Sequence, residues 1–249
     1  MSSFLCRRKK LRRISFLIVL AILLGVASLP AAAKVYITYD FPNMVWKDLE
    51  KQGFAISDRG QEVGEAEIWI KEIEYFDQTA YMIEYKEQSG DYKEHTITKV
   101  SGIGLKPLAV TKRIEIGQDI WYYEGNFTGE QLVVSYTTPE NPFKEKRSMT
   151  SGVDFYSAEI LPYMLRNLEF AVGDLYTFTL LGVEAMSFQS AIVEVKGEEI
   201  VEVPSGVYDC WKLDIRMGGV TYEAWYSKKE PQFLIKYYFG KEMGMKNHT

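Results

Sequence analysis

The sequence predicts a mainly β protein, a curved antiparallel sheet with one principal helix packed on its concave face. Three observations predict it. Glu198 to Phe239 is a series of β-branched and aromatic runs cut by turn signals at Pro204 to Gly206, Gly218-Gly219 and Glu230-Pro231, which reads as four antiparallel strands. Residues 65–137 repeat that alternation as about six strands joined by short loops. One stretch of the exported part breaks the period: Leu161, Met164, Leu165 and Leu168 fall at i, i+3, i+4 and i+7, one face of a helix.

The chain opens with a strongly basic segment that holds Arg7, Arg8, Lys9, Lys10, Arg12 and Arg13. The apolar run Ile14 to Leu29 follows, then Pro30-Ala31-Ala32-Ala33. A basic start, a short apolar core and small residues before a cut define a secretory signal peptide. The reading is a leader over 1–33, cleaved after Ala33, and a periplasmic or secreted product. The alternative is an uncleaved segment that anchors the chain in the inner membrane, although a comfortable span needs about 20 apolar residues. Cys6 precedes the apolar core, so it offers no lipid-attachment site.

Val35 to Tyr39 is a short first strand. Asp40 to Gly60 has no sharp signal beyond a candidate short helix over Val45 to Lys51. From Glu65 to Phe76, Ala66, Ile68 and Ile70 share one face and Ile73 and Tyr75 the other, which predicts a β-bulge near Lys71-Glu72. Strands follow at Tyr81 to Lys86, Tyr92 to Val100, Leu108 to Ile116, Ile120 to Glu124 and Leu132 to Thr137. Turns at Asp77-Gln78, Gly90-Asp91, Gly117-Gln118 and Gly125 to Gly129 separate them. Pro139 to Gly152 reads as a loop.

The helix is expected within 154–168, capped by Asp154 or Ser157, with Pro162 either kinking it or marking its first turn. Strands resume at Asp174 to Leu181 and Ser187 to Lys196. Gly240 to Thr249 reads as a polar, frayed tail. The organisation is therefore a leader, a single β-rich domain over 34–240, and a flexible tail over 241–249. The helix is the crossing element between the two sheet-forming halves.

Charge excludes one class of partner. Six of the 29 Lys and Arg lie in residues 1–33, which hold no Asp or Glu, so the exported part carries 23 basic against 34 acidic residues, net −11. That is no footprint for nucleic acid. Acidity also works against contact with anionic membrane, which leaves the leader as the membrane-touching segment. Cys210 is the only cysteine beyond Cys6. It can form no disulfide within the exported part and reads as a packed thiol.

Catalytic chemistry finds few residues. Two histidines, His95 and His248, and one cysteine make no metal cluster. His95 sits in a polar strand and reads as a solvated side chain. No Gly-x-Ser-x-Gly occurs, and Ser101-Gly102-Ile103-Gly104 lacks the lysine of a phosphate loop. The paired carboxylates Glu72/Glu74 and Glu198/Glu199/Glu202 read as solvated faces. No cofactor is expected, and a hydrolase with an unusual carboxylate site is the least favoured class.

What remains is aromatic content: 17 Tyr and 13 Phe. A curved sheet under one helix leaves room for an apolar pocket between them. The candidate cavity residues are Trp69, Tyr81, Trp121, Tyr136, Trp211 and Trp225 on strands, with Leu161, Leu165 and Leu168 on the helix. Core packing is the competing role for each.

Val203-Pro204-Ser205-Gly206-Val207-Tyr208-Asp209-Cys210-Trp211-Lys212-Leu213 resembles the Val-Pro-Ala-Gly-aromatic-Asp-x-x-Lys signature of an exported bacterial family of unknown function, numbered 3108. Trp225-Tyr226-Ser227, Pro231 and Leu234-Ile235-Lys236 resemble that family's closing hairpin. Ser157-Ala158, Leu165-Arg166 and Val172-Gly173-Asp174 resemble its helix and the turn after it. The match is best over 150–239. That family resembles the lipoprotein-localisation fold of LolA and LolB, an open half-barrel with helices inside its concave face. The resemblance implies an extracytoplasmic binding protein for lipid or acyl chains and supplies no catalytic residues. The chain departs from LolB in lacking a lipid-attachment cysteine.

The function expected is thus a periplasmic binding protein that holds a lipid or other apolar small molecule in its half-barrel. The alternative is a structural module of the cell envelope that binds a protein partner through its sheet edges.

Overall fold

A computed structural model describes residues 36–37, 41, 44, 46, 49–240 and 243–248. The expected leader and its expected cut after Ala33 lie outside these residues. Among them no helix is long and apolar enough to cross a membrane. From Tyr36 onward the chain forms one compact unit.

The unit is a single curved, unclosed sheet. Its strands in chain order are β1 (Tyr36–Ile37), β2 (Leu49–Asp58), β3 (Gln61–Tyr75), β4 (Gln78–Ser89), β5 (Tyr92–Ser101), β6 (Pro107–Ile116), β7 (Asp119–Thr128), β8 (Gln131–Thr137), β9 (Glu145–Thr150) and β10 (Tyr156–Ser157). After the helical segment come β11 (Leu175–Gly182), β12 (Ser187–Val203), β13 (Gly206–Met217), β14 (Val220–Ser227), β15 (Leu234–Phe239) and β16 (Met243–Asn247). The spatial order is β1-β11-β12-β13-β14-β15-β16-β2-β3-β4-β5-β6-β7-β8-β9. The two-residue strands β1 and β10 pair in parallel with β11, at different heights along its outer side. Every other neighbour is antiparallel. The β3–β8 meander is the six-stranded run expected over 65–137.

Three strands differ from expectation. β2 replaces the short helix expected at 45–51 from Leu49 onward. Its inward residues are Glu50, Gln52, Phe54 and Ile56, so two buried polar groups interrupt the apolar alternation that betrays a strand. β9 lies in the expected loop, and its sequence Glu-Lys-Arg-Ser-Met-Thr is almost wholly exposed, with no apolar face to read. β16 occupies the expected frayed tail, yet it lies between β15 and β2 and joins the two halves.

The bulge expected at Lys71-Glu72 is absent, because β3 keeps unbroken register with β4 through Tyr75. Beyond Lys71 the strand has outrun β2, and Ile73 and Tyr75 stay on the outer face with Trp69. Lys99 of β5 lies over the Tyr75 ring there, 4.4 Å from its centre.

The segment between β9 and β11 crosses the hollow of the sheet. Its helical part is a 3-10 turn (Ala158–Ile160), helix α1 (Leu161–Met164) and a second 3-10 turn (Leu165–Asn167). Ser157 caps the first turn by backbone position only, and its hydroxyl goes to Glu159 instead of a free N–H. Pro162 stands in the first turn of α1, where its missing N–H costs nothing.

One end of the hollow is packed solid. Ile160, Leu161, Met164, Leu165 and Leu168 meet Phe54, Ile68, Ile70, Ile83, Val193 and Ile215 from the sheet. Each such side chain, once buried, contributes roughly 1.5–3 kcal/mol.

A buried ion pair ties the segment to the sheet. Arg166 is fully buried; its guanidinium reaches both carboxylate oxygens of Glu50, Nη2 at 3.1 Å from Oε2. Its Nε donates to the carbonyl of Gln232 at 2.6 Å. The Tyr226 hydroxyl donates to the Pro162 carbonyl at 2.7 Å.

A second apolar cluster spans the seam between the sheet's free edges. Phe155 lies tilted against Phe127 of β7 and edge-on to Phe188 of β12, with ring centres 5.9 and 5.3 Å away. Val183, in the β11–β12 turn, rests on Gly125 of β7, where a Cβ would lie 3.4 Å from the valine and 2.7 Å from Val110. Glycine there leaves room for the Val110 side chain of the neighbouring strand.

A third cluster lies on the outer face. The β12–β13 hairpin extends past a register shift between Val195 and Gly197, and its tip returns to β16, where Ser205 Oγ donates to the Asn247 carbonyl at 3.1 Å. Beneath it Val201, Val203, Cys210, Trp225 and Ile235 pack together. Burial pushes the Cys210 thiol up to about 12, as suits a packed, unreactive group.

Candidate functional site

The other end of the hollow is a cup of about 840 Å³. Its rim is where the hairpins turn, at Ser89 and Tyr92, at Gly182, Glu184 and Ala185, at Met217, and at Phe239 and Met243. Its floor is the helical segment: Ala158, Glu159, Leu161, Pro162 and Tyr163. The sheet's period of two decides which side chains face in. Tyr85, Glu87 and Ser89 project from β4; Tyr92, Glu94 and Thr96 from β5; Lys112 from β6.

Two walls differ in chemistry. Met217 of β13, Tyr222 of β14, Tyr237 and Phe239 of β15, and Met243 and Met245 of β16 make an apolar wall. Tyr222 stacks on Tyr237 with ring centres 6.0 Å apart, and Phe239 meets both rings edge-on. The facing wall is polar and charged. Glu94 accepts from Tyr92 Oη at 2.6 Å and from Thr96 Oγ1 at 2.8 Å. Lys112 Nζ lies 3.2 Å from Glu94 and 2.5 Å from Glu184, the latter carried on the β11–β12 turn. Burial lowers the Lys112 ammonium, but Glu94 and Glu184 outweigh it and hold it above the ordinary lysine value. Glu87 accepts from Tyr85 Oη at 2.5 Å. Burial raises its carboxyl; the Tyr85 hydrogen bond opposes, Glu94 adds to the rise and Lys112 subtracts.

Of the nine residues expected to line a cavity, Leu161 lines this one. Leu165 and Leu168 belong to the solid core, as does Tyr81, whose ring meets Trp46 edge-on at 5.2 Å. Trp211 packs against that same core beside Phe170, with Lys228 over its ring. Trp121 pairs in register with Ile114 on the inward face of β7, outside the lining. Tyr136 stacks on Tyr123 near the free edge and donates to Glu145.

Trp69 and Trp225 lie on the outer face, under Lys51 and under Lys212 and Lys236 respectively. Alternation says which residues share a face, not which face is hollow. The lining that sequence reasoning missed is mostly tyrosine, glutamate and methionine, and the one signal for it was the inward parity of Glu87, Glu94 and Lys112 among apolar neighbours. His95 is outside too, its ring 2.8 Å from Glu84 on the exposed side of β5. Among the described residues no group of three His, Cys, Asp or Glu is placed to hold a metal ion.

The fold and the cup define a class: a mainly β half-barrel, one end plugged by a helical crossover and the other open as an amphipathic cavity. A family described as "Protein of unknown function (DUF3108)" matches residues 44–245, and the chain belongs to it. Among solved structures the chain is similar to a candidate exported protein with a YmcC-like fold from Bacteroides fragilis, at 10% identity and a TM-score of 0.34, covering 85% of this chain and 98% of that one. No curated protein matches the chain.

Proposed function

We propose that the chain is an exported binding protein that holds a small, partly apolar molecule, such as a lipid or acyl-chain compound, in the cup. One observation carries the reading. The cup's volume falls within the roughly 300–1,000 Å³ of small-molecule sites, and apolar side chains converge there with a few placed polar groups. The leader-like N-terminus supports export to the periplasm, and the resemblance to the lipoprotein-localisation fold points the same way. Binding rather than catalysis is favoured because Lys112 is held in ion pairs and His95 sits outside the cup.

The test is native mass spectrometry of protein from its own host, together with titration of an apolar fluorescent probe. A co-purifying lipid, or saturable probe binding that Met245→Trp weakens by filling the cup, is the expected result. Absence of both a co-purified molecule and saturable binding ends the reading.

A second reading, an envelope module that pairs through a sheet edge, has β9 in its favour, since that strand has a partner on one side only. Glu145, Lys146 and Arg147 weigh against it, because charges on an edge strand deter pairing. One reproducible cross-linked partner in cells through β9 would favour it.

A further inference from the structure

The cup's charges are one-sided. Glu87, Glu94, Glu159 and Glu184 line it as carboxylates, and among the described residues Lys112 is the one lining cation. Lys112 is committed to Glu94 and Glu184. Glu159 turns to the Val183 N–H at 3.0 Å and to Ser157. Glu87 has the Tyr85 hydroxyl and, among the described residues, no ion pair. Surplus carboxylates in a partly desolvated space are costly until a cation meets them.

An independent observation concerns two hydroxyls. Tyr163 on the floor and Tyr237 on the wall are 3% and 4% exposed, and both line the cup. Neither hydroxyl has a hydrogen-bond partner among the described residues. Both residues line the cup, so their hydroxyls are open to whatever fills it. Tyr163 also feels the charges of Glu94 and Glu87. Its oxygen therefore sits in the field of the surplus carboxylates.

We infer that the cup selects an amphiphile with a protonated amine head. This inference rests on the cup being a ligand cavity. The ammonium donates to Glu87 and, through its remaining N–H groups, to Glu94 and the Tyr163 oxygen. The hydrocarbon lies along Met217, Phe239 and Met245, whose flexible side chains accommodate chains of varied shape. An anionic head would face the same carboxylates with the lysine already engaged.

The test is calorimetric titration of the full chain at neutral pH with three twelve-carbon probes below their aggregation limits: dodecylammonium, laurate and dodecanol. Dodecylammonium is expected to bind about tenfold or more tighter than laurate. Glu87→Gln should weaken dodecylammonium by about five- to tenfold and leave dodecanol unchanged. Tyr163→Phe should weaken it by a smaller factor, which keeps the test open if the first variant folds poorly. Laurate binding as tightly as dodecylammonium overturns the inference. So does an ammonium preference that both variants leave intact, because the amine would then sit elsewhere. In either case saturable dodecanol binding would keep the ligand-cavity reading alive, whereas failure of all three probes would remove that reading itself.

Discussion

Arg166 shows what one side chain does for this architecture. A guanidinium with no solvent exposure needs acceptors, and here each of its three nitrogens has one: Glu50 serves two and the Gln232 carbonyl the third. The pair pins the crossover to β2 across 116 residues of sequence. Arg166→Met leaves Glu50 buried without its cation and is expected to cost about 3–5 kcal/mol in urea unfolding. Adding Glu50→Leu should recover much of that loss; a single-variant cost below about 1 kcal/mol would mean the pair does not hold the crossover.

Glu87 carries a pH dependence of the opposite kind. Its carboxyl is raised by burial first, with Tyr85 opposing, Glu94 reinforcing and Lys112 opposing. A raised carboxyl favours the protonated fold, so stability is whole below the ordinary value of 4.5 and drains as pH climbs through the raised value. Glu87→Gln escapes that loss. The variant's advantage in urea midpoint should grow from about pH 4 to about pH 8, and a difference that stays flat would show that Glu87 ionises without penalty.

At the scale of elements, β16 is the most informative. It is five residues long, flanked by charge, and central. Gly244 is opposite Tyr238, and a Cβ on Gly244 would come within 1.9 Å of that ring. The ring is itself held edge-on against Trp225 at 5.7 Å with Lys236 above it. An aromatic ring lying over a glycine covers backbone that the strand leaves bare. Gly244→Ala is expected to cost about 1–3 kcal/mol by overpacking. The cost should shrink in a Tyr238→Ala background, and equal costs in both backgrounds would rule out the ring as the cause.

The helical segment teaches a related lesson about elements. One turn of α-helix between two 3-10 turns would not persist alone in water. Its packing and Arg166 keep it helical, inside the 154–168 window where a helix is expected.

For the whole molecule, continuity of the sheet depends on β16 joining β15 to β2. Ending the chain at Gly240 removes β16 and exposes two long strand edges at the centre of the sheet. The truncated protein is expected to be insoluble or to show no cooperative unfolding. A soluble, cooperatively unfolding product would mean that the two halves fold independently. The seam opposite is built differently, from Phe155, Val183 and the Lys112–Glu184 pair instead of a ladder of hydrogen bonds. That side-chain seam brings the β11–β12 turn against β6 and so completes the cup.

The six-strand meander, the four C-terminal runs and the helix face at Leu161, Leu165 and Leu168 were legible in the sequence, because local periodicity and turn residues encode them. β2, β9 and β16 were not. Their inward or paired positions are polar or small, and they are strands because distant partners supply Arg166 to Glu50, β8 to β9, and β15 with β2 to β16.

The site divides the same way. Strand parity alone groups Glu87 with Tyr85 and Glu94 with Thr96. Which face is hollow, which end is plugged and which is open follow from where the crossover lies, a matter of contacts between residues far apart in the chain. The sequence by itself determined an antiparallel meander with one short helical break. Only the tertiary structure decided that eight of the nine expected cavity residues lie outside the cup, while tyrosines, methionines and an uneven set of charges line its open end. Period-two alternation has no sign: it sorts side chains into two faces, and only the bending of the sheet chooses between them.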